Sequence, residues 1–172
     1  MSNAVVERPA VEAVWQWLGA VPDPEIPVIS VVELGIVRDV AWHGEQLVVT
    51  ITPTYSGCPA TEAIRDAIEQ VLLANGLATA EVRTQLAPAW TTDWLGDAAR
   101  EKLRVYGIAP PGPALRRGRV IDIRSLAEEP APACPRCGSA YTRQVSRFGA
   151  TPCKSAHVCE ACLEPFERFK CH

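Results

Sequence analysis

Apolar positions at Val11, Val14, Trp15 and Leu18 recur at helical spacing and predict a short amphipathic helix. Prolines at 22, 24 and 27 hold the next stretch out of helix and leave Asp23 and Glu25 on a stiff loop. Ser30 then caps one turn, residues 31–34, which Gly35 ends; Glu33 at the third position completes a capping box with Ser30. Residues 36–42 read as a strand, His43-Gly44-Glu45 as a turn with a solvated histidine, and the β-branched run 46–52 as the other arm of a hairpin. Ile64, Ala67, Ile68, Val71 and Leu72 resume the helical period until Asn75-Gly76 stops it. Residues 80–86 alternate in the manner of a half-buried strand. Thr92 is the expected N-cap of a further helix, with Leu95, Ala99, Leu103 and Tyr106 on one face and Gly107 at its end. Trp90 and Trp94 bracket its entrance as core anchors or as a docking surface, and at least one of them is expected in the core.

The junction between hairpin and helix reads Thr52-Pro53-Thr54-Tyr55-Ser56-Gly57-Cys58-Pro59. Pro59 suits the first helical position, where its missing N–H has no intrahelical partner. Cys58 then becomes the N-cap, close to unpaired amides and the positive end of the helix dipole, a setting that favours a thiolate. The other reading is a small buried hydrophobe, because free cysteine is among the most buried residue types.

Composition narrows the function classes. The chain has 172 residues, 48% hydrophobic and 22% charged, enough for one ordinary soluble domain and a small appended module. A net charge of -3 gives no reason to expect nucleic acid or an anionic membrane as a partner. No apolar run approaches the ~20 residues that span a bilayer, and residues 1–9 lack the apolar core of a secretory signal. Six of the seven cysteines fall within 134–172, which suits metal binding in a reducing compartment better than a disulfide framework. The expected location is therefore cytoplasmic. Nothing assembles a catalytic set: no nucleophile with a histidine base, no Glu-x-x-His pair and no glycine-rich dinucleotide fingerprint.

Between residues 109 and 133, Pro110, Pro111, Pro113, Pro130 and Pro132 mark a semi-rigid linker. Within it, Val120-Ile121-Asp122-Ile123 is a candidate extra strand, and Arg116, Arg117 and Arg119 form a small basic cluster of solvated character. The tail then carries Cys134-Pro135-Arg136-Cys137-Gly138 and Cys159-Glu160-Ala161-Cys162. Two such pairs separated by 21 residues match the knuckles of a zinc ribbon with four cysteine ligands. Two thiolates separated by two residues face one ion across a tight turn, and Gly138 supplies the positive φ such turns need. Strand-like arms are expected at 141–146 and 166–170. So small a module depends on the metal for much of its folding free energy. Cys153 and Cys171, the latter beside His172, are outlying thiols, alternative ligands or donors to an iron–sulfur cluster, and spacing does not separate these roles. The resulting division is 1–110, a linker over 111–132, and a cysteine-rich module over 133–172.

Asp23-Pro24-Glu25, Glu33-Leu34-Gly35-Ile36-Val37 and the Thr52–Pro59 stretch resemble the iron–sulfur assembly domain shared with SufT-like proteins. With Ala87-Pro88-Ala89-Trp90-Thr91-Thr92-Asp93-Trp94, Tyr106-Gly107-Ile108-Ala109-Pro110-Pro111 and Phe169-Lys170-Cys171-His172, residues 10–172 resemble the D-subunit family (PaaD, also PaaJ) of bacterial phenylacetyl-CoA epoxidase systems. This resemblance implies an α+β fold class: a small mixed α/β assembly-like domain followed by a C-terminal zinc-ribbon-like module. It implies an accessory, non-catalytic role in phenylacetate catabolism beside a di-iron oxygenase and a reductase that carries flavin and a [2Fe–2S] cluster. The partners would be those subunits, the reductase above all, with a homodimer left open. Cys58 and Asp23 match the positions that would hold a transient cluster or metal, and structural Zn2+ is expected at the four tail cysteines. Together these make an accessory protein that assists cluster or iron-centre maturation. The alternatives are a structural or regulatory epoxidase subunit without metal transfer, and a redox thiol protein.

Overall fold

Two compact units appear in the computed structural model, which describes residues 8–112 and 130–170. The first comprises the described parts of Met1–Pro53 with Pro59–Leu86; the second joins Thr54–Cys58 to Ala87–His172. The candidate strand at 120–123, Arg116, Arg117, Arg119, Cys171 and His172 lie outside the described residues.

In the first unit α1 spans Val11–Leu18 and buries Val14 and Leu18, one helical repeat apart. The loop after it is built from its own side chains. Asp23 Oδ1 accepts the Glu25 and Ile26 N–H groups at 2.9 and 2.8 Å. The capping box is reciprocal: the Ser30 N–H donates to Glu33 Oε2 at 3.0 Å and the Glu33 N–H to Ser30 Oγ at 3.1 Å. Strands β1 (Val37–His43) and β2 (Gln46–Ile51) form an antiparallel hairpin. Helix α2 (Ala60–Ala74) crosses back to β3 (Glu81–Thr84), which runs parallel to β2 and gives the order β1-β2-β3. Ala60, Ile64, Ile68 and Leu72 form the buried stripe of α2. Arg65 ties that helix to β3, donating to the Val82 carbonyl at 2.6 Å and to Thr84 Oγ1 at 2.8 Å.

Two helix starts differ from expectation. Pro59, not Cys58, is the N-cap of α2, with φ -67° and ψ -22° and no side-chain capping bond. The Cys58 N–H instead closes a turn onto the Tyr55 carbonyl at 3.1 Å. Likewise Thr92 is not the cap of the next helix. It lies in a single 3-10 turn, Thr92–Trp94, capped by Thr91, and α3 begins only at Asp97 after extended Leu95 and Gly96. Arg100 holds that break, donating to the carbonyls of Thr92, Leu95 and Pro111 at 2.7, 3.3 and 2.6 Å.

The second unit continues with α3 (Asp97–Tyr106), which Gly107 ends in the left-handed region at φ +99°. Strand β4 (Ile108–Ala109) follows and pairs in parallel with β7 (Pro165–Phe169). Strands β5 (Thr142–Ser146) and β6 (Lys154–Cys159) complete an antiparallel ribbon in the order β4-β7-β6-β5. The arms expected at 141–146 and 166–170 are β5 and β7; β6 between them is additional. Because β4 belongs to this sheet, residues 87–110 sit with the cysteine-rich module and not with the first domain. Trp90 is buried and meets Phe169 edge-on, ring centroids 5.8 Å apart, while Trp94 is half-buried. No helix among the described residues is long and apolar enough to cross a membrane.

Candidate metal centre

The two knuckles are built alike. In the first, the Cys134 N–H donates to the Ser139 carbonyl and the Gly138 N–H returns to the Cys134 carbonyl, both at 2.9 Å. In the second, the Cys159 N–H donates to Glu164 at 3.0 Å and the Leu163 N–H returns to Cys159 at 2.9 Å. The residue after each second cysteine has positive φ, +77° at Gly138 and +62° at Leu163. A leucine rarely adopts that conformation. Its side chain is 77% exposed, so packing does not hold it there; the closed hydrogen-bonded turn does.

These turns aim four sulfurs at one point. Cys134, Cys137, Cys159 and Cys162 have all their Sγ atoms within 4.8 Å of one another. Cys134 and Cys162 are separated by 3.8 Å across the knuckles, Cys137 and Cys159 by 3.6 Å. A tetrahedral ion with metal–sulfur bonds of about 2.3 Å has edges of about 3.8 Å, so the donor set fits a closed four-thiolate metal site. Cys134 and Cys159 are buried, with Ala109 and Phe166, on the sheet side, and Cys137 and Cys162 are exposed.

Four thiols this close cannot all ionise without a cation. The Cys162 and Ala161 amides, aided by the neighbouring thiols, outweigh burial and bring Cys159 from 9.0 down to about 6. At Cys162 the Glu164 amide favours the thiolate, but desolvation and the three other sulfurs prevail and push it up to about 12. A bound dication removes this conflict, since it takes all four as thiolates. The pH dependence follows. Cys159 already offers a thiolate above about 6, whereas below that pH the incoming metal must displace its proton as well. Metal affinity therefore falls on acidification, and log affinity against pH should be steeper by about one unit below pH 6 than above it. Competition titrations with a chromophoric chelator across pH 5–8 measure this.

Cys153 stands apart from the four. It is buried, its Sγ lies 3.0 Å from Thr151 Oγ1, and it precedes β6 while Cys159 ends it. Six residues of strand separate the two by about 20 Å, which places Cys153 out of reach as a ligand. Sequence reasoning missed the polar residues of β6. Lys154 is buried and paired with Glu167 on β7 at 2.7 Å, and Glu167 also accepts the Ala150 N–H. His157 is buried against Phe166, ring centroids 5.5 Å apart, with Nε2 at 3.0 Å from Ser155 Oγ. Burial, then the Arg168 charge, lowers its pKa.

The two remaining candidates lie in different units. Asp23 belongs to the first, 4% exposed, with the two hydrogen bonds described above. Cys58 belongs to the second, half-buried at the end of the Thr54–Cys58 segment.

Comparison with known proteins finds two family matches, the first of which takes in Thr54–Cys58 of the second unit. Residues 11–83 match the family described as iron–sulfur cluster assembly protein, and residues 122–170 match the PaaD zinc beta ribbon domain. The chain is 46% identical over 169 residues, 98% of its length and 97% of the relative's, to a protein of Escherichia coli (strain K12). That relative is named as the D component of a "Putative 1,2-phenylacetyl-CoA epoxidase". Among solved structures, a domain of unknown function from Bacillus anthracis is 31% identical, with 54% of this chain and 90% of that one covered and a TM-score of 0.49. A conserved hypothetical protein from Thermotoga maritima is 28% identical, with 60% and 98% covered and a TM-score of 0.49.

Proposed function

The chain belongs to the family of 1,2-phenylacetyl-CoA epoxidase D subunits, and from that premise we propose that it is an accessory subunit that assists iron–sulfur cluster or iron-centre maturation in such an epoxidase system. One observation carries this reading. Among the six described cysteines, four converge on the tail centre and Cys153 is buried, which leaves Cys58 as the accessible thiol outside the centre. It also lies within the segment that matches the iron–sulfur assembly family. A single thiolate ligates one iron and leaves the other positions open to a recipient, which suits transfer better than storage.

In this reading the cargo is bound transiently at Cys58. Asp23 fixes its own loop, its buried carboxylate being engaged by two backbone amides. The tail centre holds Zn2+ as a structural ion: four thiolates leave no open position for chemistry.

Replacing Cys58 by serine tests the proposal. Loss of the groups that merely orient a ligand costs about 10–100-fold in metal affinity. Loss of the ligand itself should therefore weaken iron or cluster binding at this thiol by at least as much, and iron–sulfur occupancy of the reductase in cells should fall. Occupancy is read from the iron and sulfide content of the purified reductase, with epoxidase activity in parallel. Full occupancy and full activity with Cys58→Ser would sink the transfer role. Stoichiometric retention of this chain in the active oxygenase would then point to a structural subunit.

A further inference from the structure

Beside the first knuckle, within the second unit, lies a cavity of about 480 Å³. Pro110, Pro132 and Pro135 give much of its wall an apolar character, and three arginines enter it: Arg104 from the end of α3, Arg136 from inside the knuckle and Arg168 from β7. No carboxylate lines it among the described residues. Arg168 is nine-tenths buried, and its Nη1 donates to the Pro130 carbonyl at 3.4 Å. Arg104 is held in a two-point pair with Glu101.

Arg136 differs from both. Its guanidinium makes no hydrogen bond or ion pair among the described residues, although it carries five donors. It lies over Gly107, where a Cβ would stand only 2.8 Å from Nη2. The glycine that ends α3 thus also leaves the space this side chain occupies.

We propose that this cavity binds a small organic phosphate. Arg136 supplies the fork, and the Arg168 and Arg104 guanidinium groups, each already held by its own partner, line the same cavity, so its positive lining suits the several oxygens and double charge of a phosphate monoester better than a single carboxylate. An inorganic ion would fill only a fraction of the volume, and the proline wall suits an uncharged organic body. This assignment is independent of any role for Cys58.

The test uses the full, zinc-loaded chain and nitrogen-15 NMR, with ribose 5-phosphate, inorganic phosphate and acetate as probes. Ribose 5-phosphate should shift the Arg136 Nε–H and the Gly107 and Gly138 amides saturably, more tightly than phosphate and far more tightly than acetate. Arg136→Gln should weaken that binding by about tenfold or more, while Arg143→Gln, which removes an exposed arginine of β5, should change it by less than about twofold. Arg136 is exposed and, among the described residues, unpaired, so its replacement leaves the fold intact. Equal binding by wild type and Arg136→Gln, shifts that do not saturate, or acetate binding as well as the phosphates would each overturn the assignment.

Discussion

Removing the metal from the four-cysteine centre should unfold the sheet built around it. At its knuckle end the ribbon has little else to fold on, although β7 also buries Phe169 against Trp90. Every β5 residue is at least partly exposed, and the apolar group beneath the centre is Ala109, Cys134, Cys159 and Phe166. Ordering some 40 residues costs more than such a core returns, at about 1–2 kcal/mol per residue for the backbone alone. A structural zinc contributes about 10–16 kcal/mol in comparable small modules. Chelation should therefore abolish amide-exchange protection across β5, β6 and β7, and readdition of zinc should restore it. Cys159→Ser should do the same without a chelator. That residue is fully buried, carries both backbone bonds of its knuckle and offers the most acidic thiol of the set. Protection that persists in protein shown to be metal-free would refute the dependence. Metal analysis of chain purified without oxygen should find about one zinc; iron with sulfide would reassign the centre.

The second large effect is expected at Phe169. Its ring is 1% exposed and meets Trp90 at an interplanar angle of 65°. Truncation to alanine removes the buried ring and leaves a cavity, at a cost of about 3–5 kcal/mol. The edge-to-face contact itself accounts for about 0.5–1.5 kcal/mol of this. Urea denaturation of the zinc-loaded chain gives the number. Trp90→Ala combined with Phe169→Ala should cost less than the sum of the two alone, because each removes the other's partner. Strict additivity would show that the rings do not support one another. Val145→Ala, at a side chain 60% exposed, should stay within about 0.5 kcal/mol.

The sequence disclosed most where chemistry or periodicity leaves little choice. Four thiolates must meet one ion, so the two Cys-x-x-Cys pairs were legible without any fold. The stripe on α2 and the reciprocal pair of Ser30 and Glu33 were legible because both follow from helix geometry alone. Strand β6 was hidden because its buried residues Lys154, Ser155 and His157, on both of its faces, are polar. Their burial makes sense only once Glu167 arrives from another strand to meet the lysine. The place of β4 was hidden for a related reason: two residues carry no periodicity, and their partner lies at the far end of the chain. Leu163 gave no glycine signal for its positive φ, since the turn holds it in place. The Cys58 cap missed by one residue, at the scale where helix ends are least defined.

The pairing of β4 with β7 sets an order of events during synthesis. Ile108 and Ala109 leave the ribosome well before the strand they will join, and the last cysteine of the centre emerges later than either. Until then Trp90, buried in the finished protein, has no Phe169 to close over it. An unpaired strand edge beside bare apolar surface is the usual start of aggregation. Supply of the metal at the moment of translation should thus set how much of the newly made chain escapes that fate.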